Sequence, residues 1–306
     1  DSSRGASKNL YSNETDAEGT EASVTAFNSD GFSLGTDTGS DGWNENGDAH
    51  VAWQWKANGG SRTTFNASGN QLAGGYQANT TAGFSIVDYT GNATNGATFP
   101  HGLGATPVIA IIKVRTNAGD GGGTNWIVAY TIQDGSSDRL YLNGTNAKFD
   151  LPVGSTEFRV DFDSSNVTLG TWNNVNASGT HIAYVFTPIQ GYSKFGSYTG
   201  NANADGAFVY TGFKPAWIMI KKTNNTSQWV LHDTTRQEFN MQTRFLQANQ
   251  NAAESTSSAA DLDILSNGFK LRSSDDAQNG NGDTYIYMCF ASSPLVGSDG
   301  TPTTAR

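Results

Sequence analysis

Gly191-Tyr-Ser-Lys-Phe-Gly-Ser-Tyr-Thr-Gly200 opens the stretch that decides the fold, and Thr284-Tyr-Ile-Tyr-Met-Cys-Phe290 closes it. Between them lie Gly212-Phe-Lys-Pro-Ala-Trp-Ile-Met-Ile-Lys221, then Trp229, Asp233 and Asn267-Gly-Phe-Lys-Leu271. The apolar runs are short and are broken by Gly, Asn, Ser and Thr, which is the pattern of strands and turns. The same phrases occur earlier in the same order. Asp88-Tyr-Thr-Gly91 answers Ser197-Tyr-Thr-Gly200, and Gly104-Ala-Thr-Pro107 answers Gly212-Phe-Lys-Pro215. Trp126 answers Trp229, and Thr180-His-Ile-Ala-Tyr-Val-Phe186 answers the closing phrase. The offset is 109 residues at the first match and 104 at the last, so a few loop residues differ and the chain reads as a tandem array.

A third copy is cut. Asp1-Ser-Ser-Arg4 matches Asp233-Thr-Thr-Arg236, and Asp16-Ala-Glu18 resembles Ala252-Ala-Glu254. Asp30-Gly-Phe-Ser-Leu34 matches Asn267-Gly-Phe-Lys-Leu271, and Ala49-His-Val-Ala-Trp-Gln-Trp55 matches the closing phrase. On this reading the first residue falls inside a repeat. The expectation is a processed or truncated chain, or one completed by another subunit. The organisation expected is the back half of a first repeat over 1–56, a Gly/Asn/Ser-rich linker over 57–81 and a second repeat over 82–190. A third repeat follows over 191–294, and then a polar tail over 295–306.

Seven or eight short strands per roughly 100 residues predict an all-β fold of tandem β-sandwiches, jelly-roll or immunoglobulin-like, with the strand order left open. In the second repeat the strands are expected at 84–89, 107–113, 126–130, 140–142, 157–162, 167–169 and 181–186. A further strand is expected at 49–55, with Ala49, Val51, Trp53 and Trp55 on one face. The linker is expected to pack as an extended strand or hairpin, and 117–124 to form a loop. Gly31, Asn166 and Gly268 share one repeat position, and a Gly–Asn exchange predicts a left-handed turn there.

Composition narrows the function. With 36 Gly against 7 Pro, 11% aromatic and only 15% charged residues, the chain is rich in turns and poor in amphipathic helix. A net charge of −10 disfavours a nucleic-acid backbone, which needs a basic stripe. No basic run points to a membrane surface, and the apolar runs are far too short to cross a bilayer as helices. The single cysteine, Cys289, excludes an internal disulfide framework, and its repeat positions hold Gln54 and Val185, so it reads as a small buried side chain.

The chemistry-bearing residues form no catalytic pattern, and the reading is non-enzymatic. His50 and His181 share a position with Tyr285, which suggests half-buried packing residues; His101 aligns with Val209, and His232 stands only before Asp233. No zinc-ligand spacing and no nucleophile elbow occur. Asp233 and Glu254 recur as Asp1 and Glu18, but Tyr130 stands where the third repeat has Asp233, so Asp-x-x-Arg reads as a turn with a local ion pair rather than a glycosidase pair. Asn279-Gly-Asn-Gly-Asp283 and the 37–48 stretch are oxygen-rich but lack the spacing of a twelve-residue calcium loop; an ion there would be structural, and no cofactor is expected. Gly102-Leu-Gly104 reads as a turn rather than a phosphate cradle. Trp43 and Trp172 each lie in a polar loop shortly before the last strand of a repeat. Indoles so placed are candidate glycan-stacking residues, or caps on a sandwich end.

Several phrases together carry a resemblance: Asn28-Ser-Asp-Gly-Phe-Ser-Leu-Gly35, His50-Val-Ala-Trp-Gln-Trp-Lys-Ala57, Ala78-Asn-Thr-Thr-Ala-Gly-Phe-Ser-Ile-Val87 and His101-Gly-Leu-Gly104, with the 191–200 phrase and Ser266-Asn-Gly-Phe-Lys-Leu-Arg272. They resemble a repeat domain of unassigned function in tail-fibre-like structural proteins of marine tailed bacteriophages. The resemblance covers nearly the whole chain and implies no catalytic residues. It implies a protein of the virion surface that assembles with other virion proteins and with copies of itself, and that takes a host-surface glycan or protein. The rivals are a capsid-decorating or capsid-fibre protein without a receptor, a bacterial carbohydrate-binding module or adhesin, and a depolymerase.

Overall fold

Side chains alternate along the strand Thr284–Phe290, and both of its faces are buried. Tyr285, Tyr287 and Cys289 enter one core with Ile218, Ile220, Phe269 and Leu271. Ile286, Met288 and Phe290 enter a second, with Phe186, Trp217, Met219 and Trp229. A strand covered on both sides needs apolar residues at nearly every position, which is why this phrase dominates the sequence. The computed structural model describes residues 1–21, 23–36, 42–58, 60–116, 124–151 and 154–292.

The chain is nearly all β, in several antiparallel sheets. In the middle segment Thr180–Phe186 lies between Phe84–Thr90 and Ile109–Val114. Ile127–Tyr130, Asp138–Tyr141 and Phe149–Asp150 continue that sheet in turn. A small sheet runs Val160–Phe162, Asn166–Leu169, Ala97–Pro100, with Asn166–Leu169 central. The C-terminal segment repeats the order. Thr284–Phe290 lies between Ser193–Thr199 and Trp217–Lys222, followed by Trp229–Asp233 and Leu246–Gln247. Its small sheet centres on Gly268–Leu271, between Phe208–Tyr210 and Leu262–Leu265.

Fine details recur as well. Asn176, at the end of the short helix Asn173–Asn176, is fully buried; it accepts from the Asn92 N–H at 2.9 Å and donates to the carbonyls of Thr94 and Gly170 at 2.9 and 2.8 Å. Asn279, ending Asp276–Asn279, does the same with Asn201, Asn203 and Ser273. The turns they clamp hold Ala93 and Ala202 at φ 54° and 49°.

The stretch expected to pack as an extended strand or hairpin forms a hairpin, Thr63–Phe65 with Ala73–Asn79, which extends the large sheet from the edge of Phe84–Thr90. Two readings are modified. The 49–55 stretch pairs with no strand among the described residues, although its alternation survives: Val51, Trp53 and Trp55 are half-buried while Ala52, Gln54 and Lys56 are exposed. Its indoles pack on the C-terminal segment instead, Trp55 lying 5.2 Å from Trp217 and 5.4 Å from Phe290. The Gly31/Asn166/Gly268 position is not left-handed. At Gly268 the requirement is close approach, since a Cβ there would sit 2.1 Å from the Val209 carbonyl.

Successive segments dock in the same way. Trp126 Nε1 donates to the Tyr11 carbonyl and Trp229 Nε1 to the Tyr141 carbonyl, each at 2.8 Å. Buried Lys113 donates to the Thr15 carbonyl at 2.7 Å, and buried Lys221 to that of Thr145 at 3.2 Å. Backbone N–H groups of Thr124 and Ser227 reach the same two carbonyls. Neither lysine was singled out from the sequence.

Candidate functional site

A cavity of about 710 Å³ opens at the edge of the middle segment, between the last strands of its large sheet and the 154–158 turn. Asp138–Tyr141 carries Arg139 into its wall, and Phe149–Asp150 adds Phe149 and Asp150. Phe158, Glu157, Thr156 and Ser155 close the opposite side.

Arg139 is the unusual group. Its side chain is buried, and its Nε and Nη1 are enclosed without a hydrogen-bond partner. Three rings surround the guanidinium carbon instead: Phe158 and Trp172 at 4.2 Å and Phe149 at 5.0 Å. Such contacts stabilise a desolvated cation by about 0.5–2 kcal/mol each, but they do not satisfy its N–H groups. Burial draws the guanidinium below its ordinary pKa, opposed by Tyr141 and Glu157. Beside it, Lys148 holds Asp138 at 3.0 Å and also Asp150. Burial pushes the Asp138 carboxyl up to about 6, against the pull of its bond with Lys148.

The two sequence-selected indoles fare differently. Trp172 comes to the site, but one ring face lies under Arg139 and Phe158 meets it edge-on at 5.4 Å, so it holds the arginine rather than standing open. Trp43 is 37% exposed in a turn and does not line the cavity. Phe208 and Tyr210, on the outer face of the C-terminal small sheet, are more exposed than either. Arg139 and Phe158 escaped the sequence reading. The strand register sets Asp138-Arg-Leu140 opposite Arg244-Phe-Leu246, which puts a cation where the C-terminal segment has Phe245.

The remaining candidates are taken up by the fold. Asp1 and Asp233 each accept from the backbone of their turn and pair with Arg4 and Arg236, at 2.6 and 2.5 Å. Each arginine reaches on to Glu18 or Glu254. The oxygens of the 279–283 loop are engaged, Asp283 by Lys222 and Asn224 and Asn279 in its turn clamp. Residues 37–41 of the other oxygen-rich stretch, and 117–123 of the expected 117–124 loop, lie outside the described residues. Among the described residues no group of three or more His, Cys, Asp or Glu is placed to hold a metal ion. His181 is fully buried against Tyr89 and His50 is exposed, so neither is the half-buried residue expected. Cys289 is buried, and its thiol is pushed well above its ordinary value. No helix among the described residues is long and apolar enough to cross a membrane.

Residues 1–294 match the model of a domain of unknown function, DUF7483, and the chain belongs to that family. No curated protein and no solved structure matches it.

Proposed function

We propose that the chain is a non-enzymatic surface protein of a bacteriophage particle, built of tandem β-sandwich repeats and contributing to attachment at the host surface. The phage context rests on the resemblance of the motifs quoted above to tail-fibre-like repeats. The sandwich reading is supported by the matching strand orders of the middle and C-terminal segments, each with a core between its large and small sheets. The attachment role rests on one observation, the cavity beside Arg139, whose aromatic walls and unsatisfied cation suit a polar ligand with a flat face. A site at the end of a rigid scaffold makes weak contacts individually. Copies of the chain, assembled with other virion proteins, multiply them into firm attachment.

The test is binding of the purified, fluorescently labelled chain to candidate host cells, with competition against phage adsorption. Saturable binding that blocks adsorption is the expected result. Its absence with the intact assembly would overturn the attachment role in favour of decoration without a receptor, which rigid docked segments would serve equally well. Release of reducing ends from host polysaccharide would overturn the non-enzymatic reading.

A further inference from the structure

Resting on the attachment reading and deepening it, we propose that the Arg139 cavity binds a carboxylate-bearing sugar, a uronate or sialate residue of a surface glycan. The arginine takes the carboxylate, and the ring lies among Phe149, Phe158 and the polar rim.

The inference starts from an exception in the charge pairing. Arg4, Arg62, Arg115, Arg159, Arg236, Arg244 and Arg272 each hold a carboxylate within the chain. Arg139 alone among the described arginines holds none, and it is one of the most buried. A buried cation without an acceptor is expensive, so its retention calls for a compensating partner. The fold itself does not require the charge. Leu140 pairs with Val128 as Leu246 pairs with Leu231, so Phe245 occupies the position of Arg139 in the C-terminal segment. There the ring packs against Val230 and Ala260 as an ordinary apolar residue.

The surrounding charges leave the arginine as the vacant cation. Lys148 is committed to Asp138 and Asp150. Glu157, exposed at the rim, is the one lining carboxylate outside that pairing, and it opposes an anionic ligand. A guanidinium pairs with a carboxylate by charge-assisted hydrogen bonds, and with Nε and Nη1 enclosed it is Nη2 that meets the carboxylate here. The depression is open to solvent, as suits one sugar unit of a longer surface glycan, and Ser155, Thr156 and Glu157 offer partners for hydroxyl groups.

The test titrates the full chain, by calorimetry or by NMR, with methyl glucuronide and N-acetylneuraminate against methyl glucoside as the neutral control. Either acid sugar should bind at least tenfold more tightly than the control, and whichever does so identifies the source. Arg139→Phe, which installs the residue of the sister repeat, should remove that preference. Glu157→Gln should tighten acid-sugar binding several-fold by removing a like charge, and this variant decides the matter even if Arg139→Phe folds poorly. Equal binding of acid and neutral sugars, or no effect of Glu157→Gln, would overturn the proposal. Cell binding by a chain that takes no acid sugar would overturn this site while leaving attachment standing. Acid-sugar binding without any cell binding would do the reverse.

Discussion

His181 is held as a neutral imidazole. Its Nδ1–H donates to the Gly179 carbonyl at 3.0 Å, and its ring stacks 4.7 Å from Tyr89. Burial pulls its pKa to about 4, and burial does the same to His232. In the unfolded chain each binds a proton near 6.5, so the neutral forms stabilise the fold fully above that pH and lose ground as pH falls toward 4. Between pH 6.5 and 5 each histidine should remove about 2 kcal/mol, and His181→Phe should abolish one of the two losses in urea titrations. Asp138 acts in the opposite sense. Its raised pKa favours the protonated fold, so its contribution is present below its ordinary 3.8 and is lost as pH rises through about 6. Asp138→Asn should therefore steepen the rise in stability from pH 4 to 6, and an unchanged slope would refute the assignment.

At the scale of elements, legibility followed burial geometry. Thr284–Phe290 and Thr180–Phe186 were readable because strands buried on both faces carry near-continuous apolar runs. The 49–55 stretch shows the same period of two, but periodicity reports which side is buried and not whether a ladder partner lies alongside. The lysines of Ile109–Val114 and Trp217–Lys222 were opaque for a related reason. Lys113 and Lys221 each donate within their own segment and also to a carbonyl of the preceding one, and no local pattern encodes that second partner. Arg139 was half legible: the matching strand register sets it opposite Phe245 of the C-terminal segment, but its caging rings come from three separate loops and strands. Asn176 and Asn279 were hidden among many asparagines, yet each ties a helix end to a distant turn. Asn279→Ala would strand the Asn201 N–H and two carbonyls, and should lower stability by about 2–3 kcal/mol. Alanine at the exposed Asn251, outside this turn, should change it by less than about 0.5 kcal/mol, which serves as the control in the same denaturation series.

The whole molecule is organised by the core that the segments share rather than by the cores each keeps. Phe290 is its hub, with ring contacts to Trp55, Phe186, Tyr192, Phe195 and Trp217 at 5.4–5.9 Å, drawn from the N-terminal, middle and C-terminal stretches. Its neighbour Cys289 points the other way, into the core enclosed within the C-terminal segment alone. Two adjacent residues thus separate coupling between segments from stability within one. Phe290→Ala should lower stability by about 3–5 kcal/mol through lost burial and an incompletely closed cavity. Because the lost contacts are those that join segments, unfolding should also split, so that tryptophan fluorescence and far-ultraviolet circular dichroism no longer coincide. Cys289→Ala removes only a sulfur from one segment's interior and should lower the midpoint slightly while both probes remain superimposed. Coincident transitions in Phe290→Ala would mean that the shared core does not couple the segments, leaving the docking hydrogen bonds of Lys113, Lys221, Trp126 and Trp229 as what holds them together.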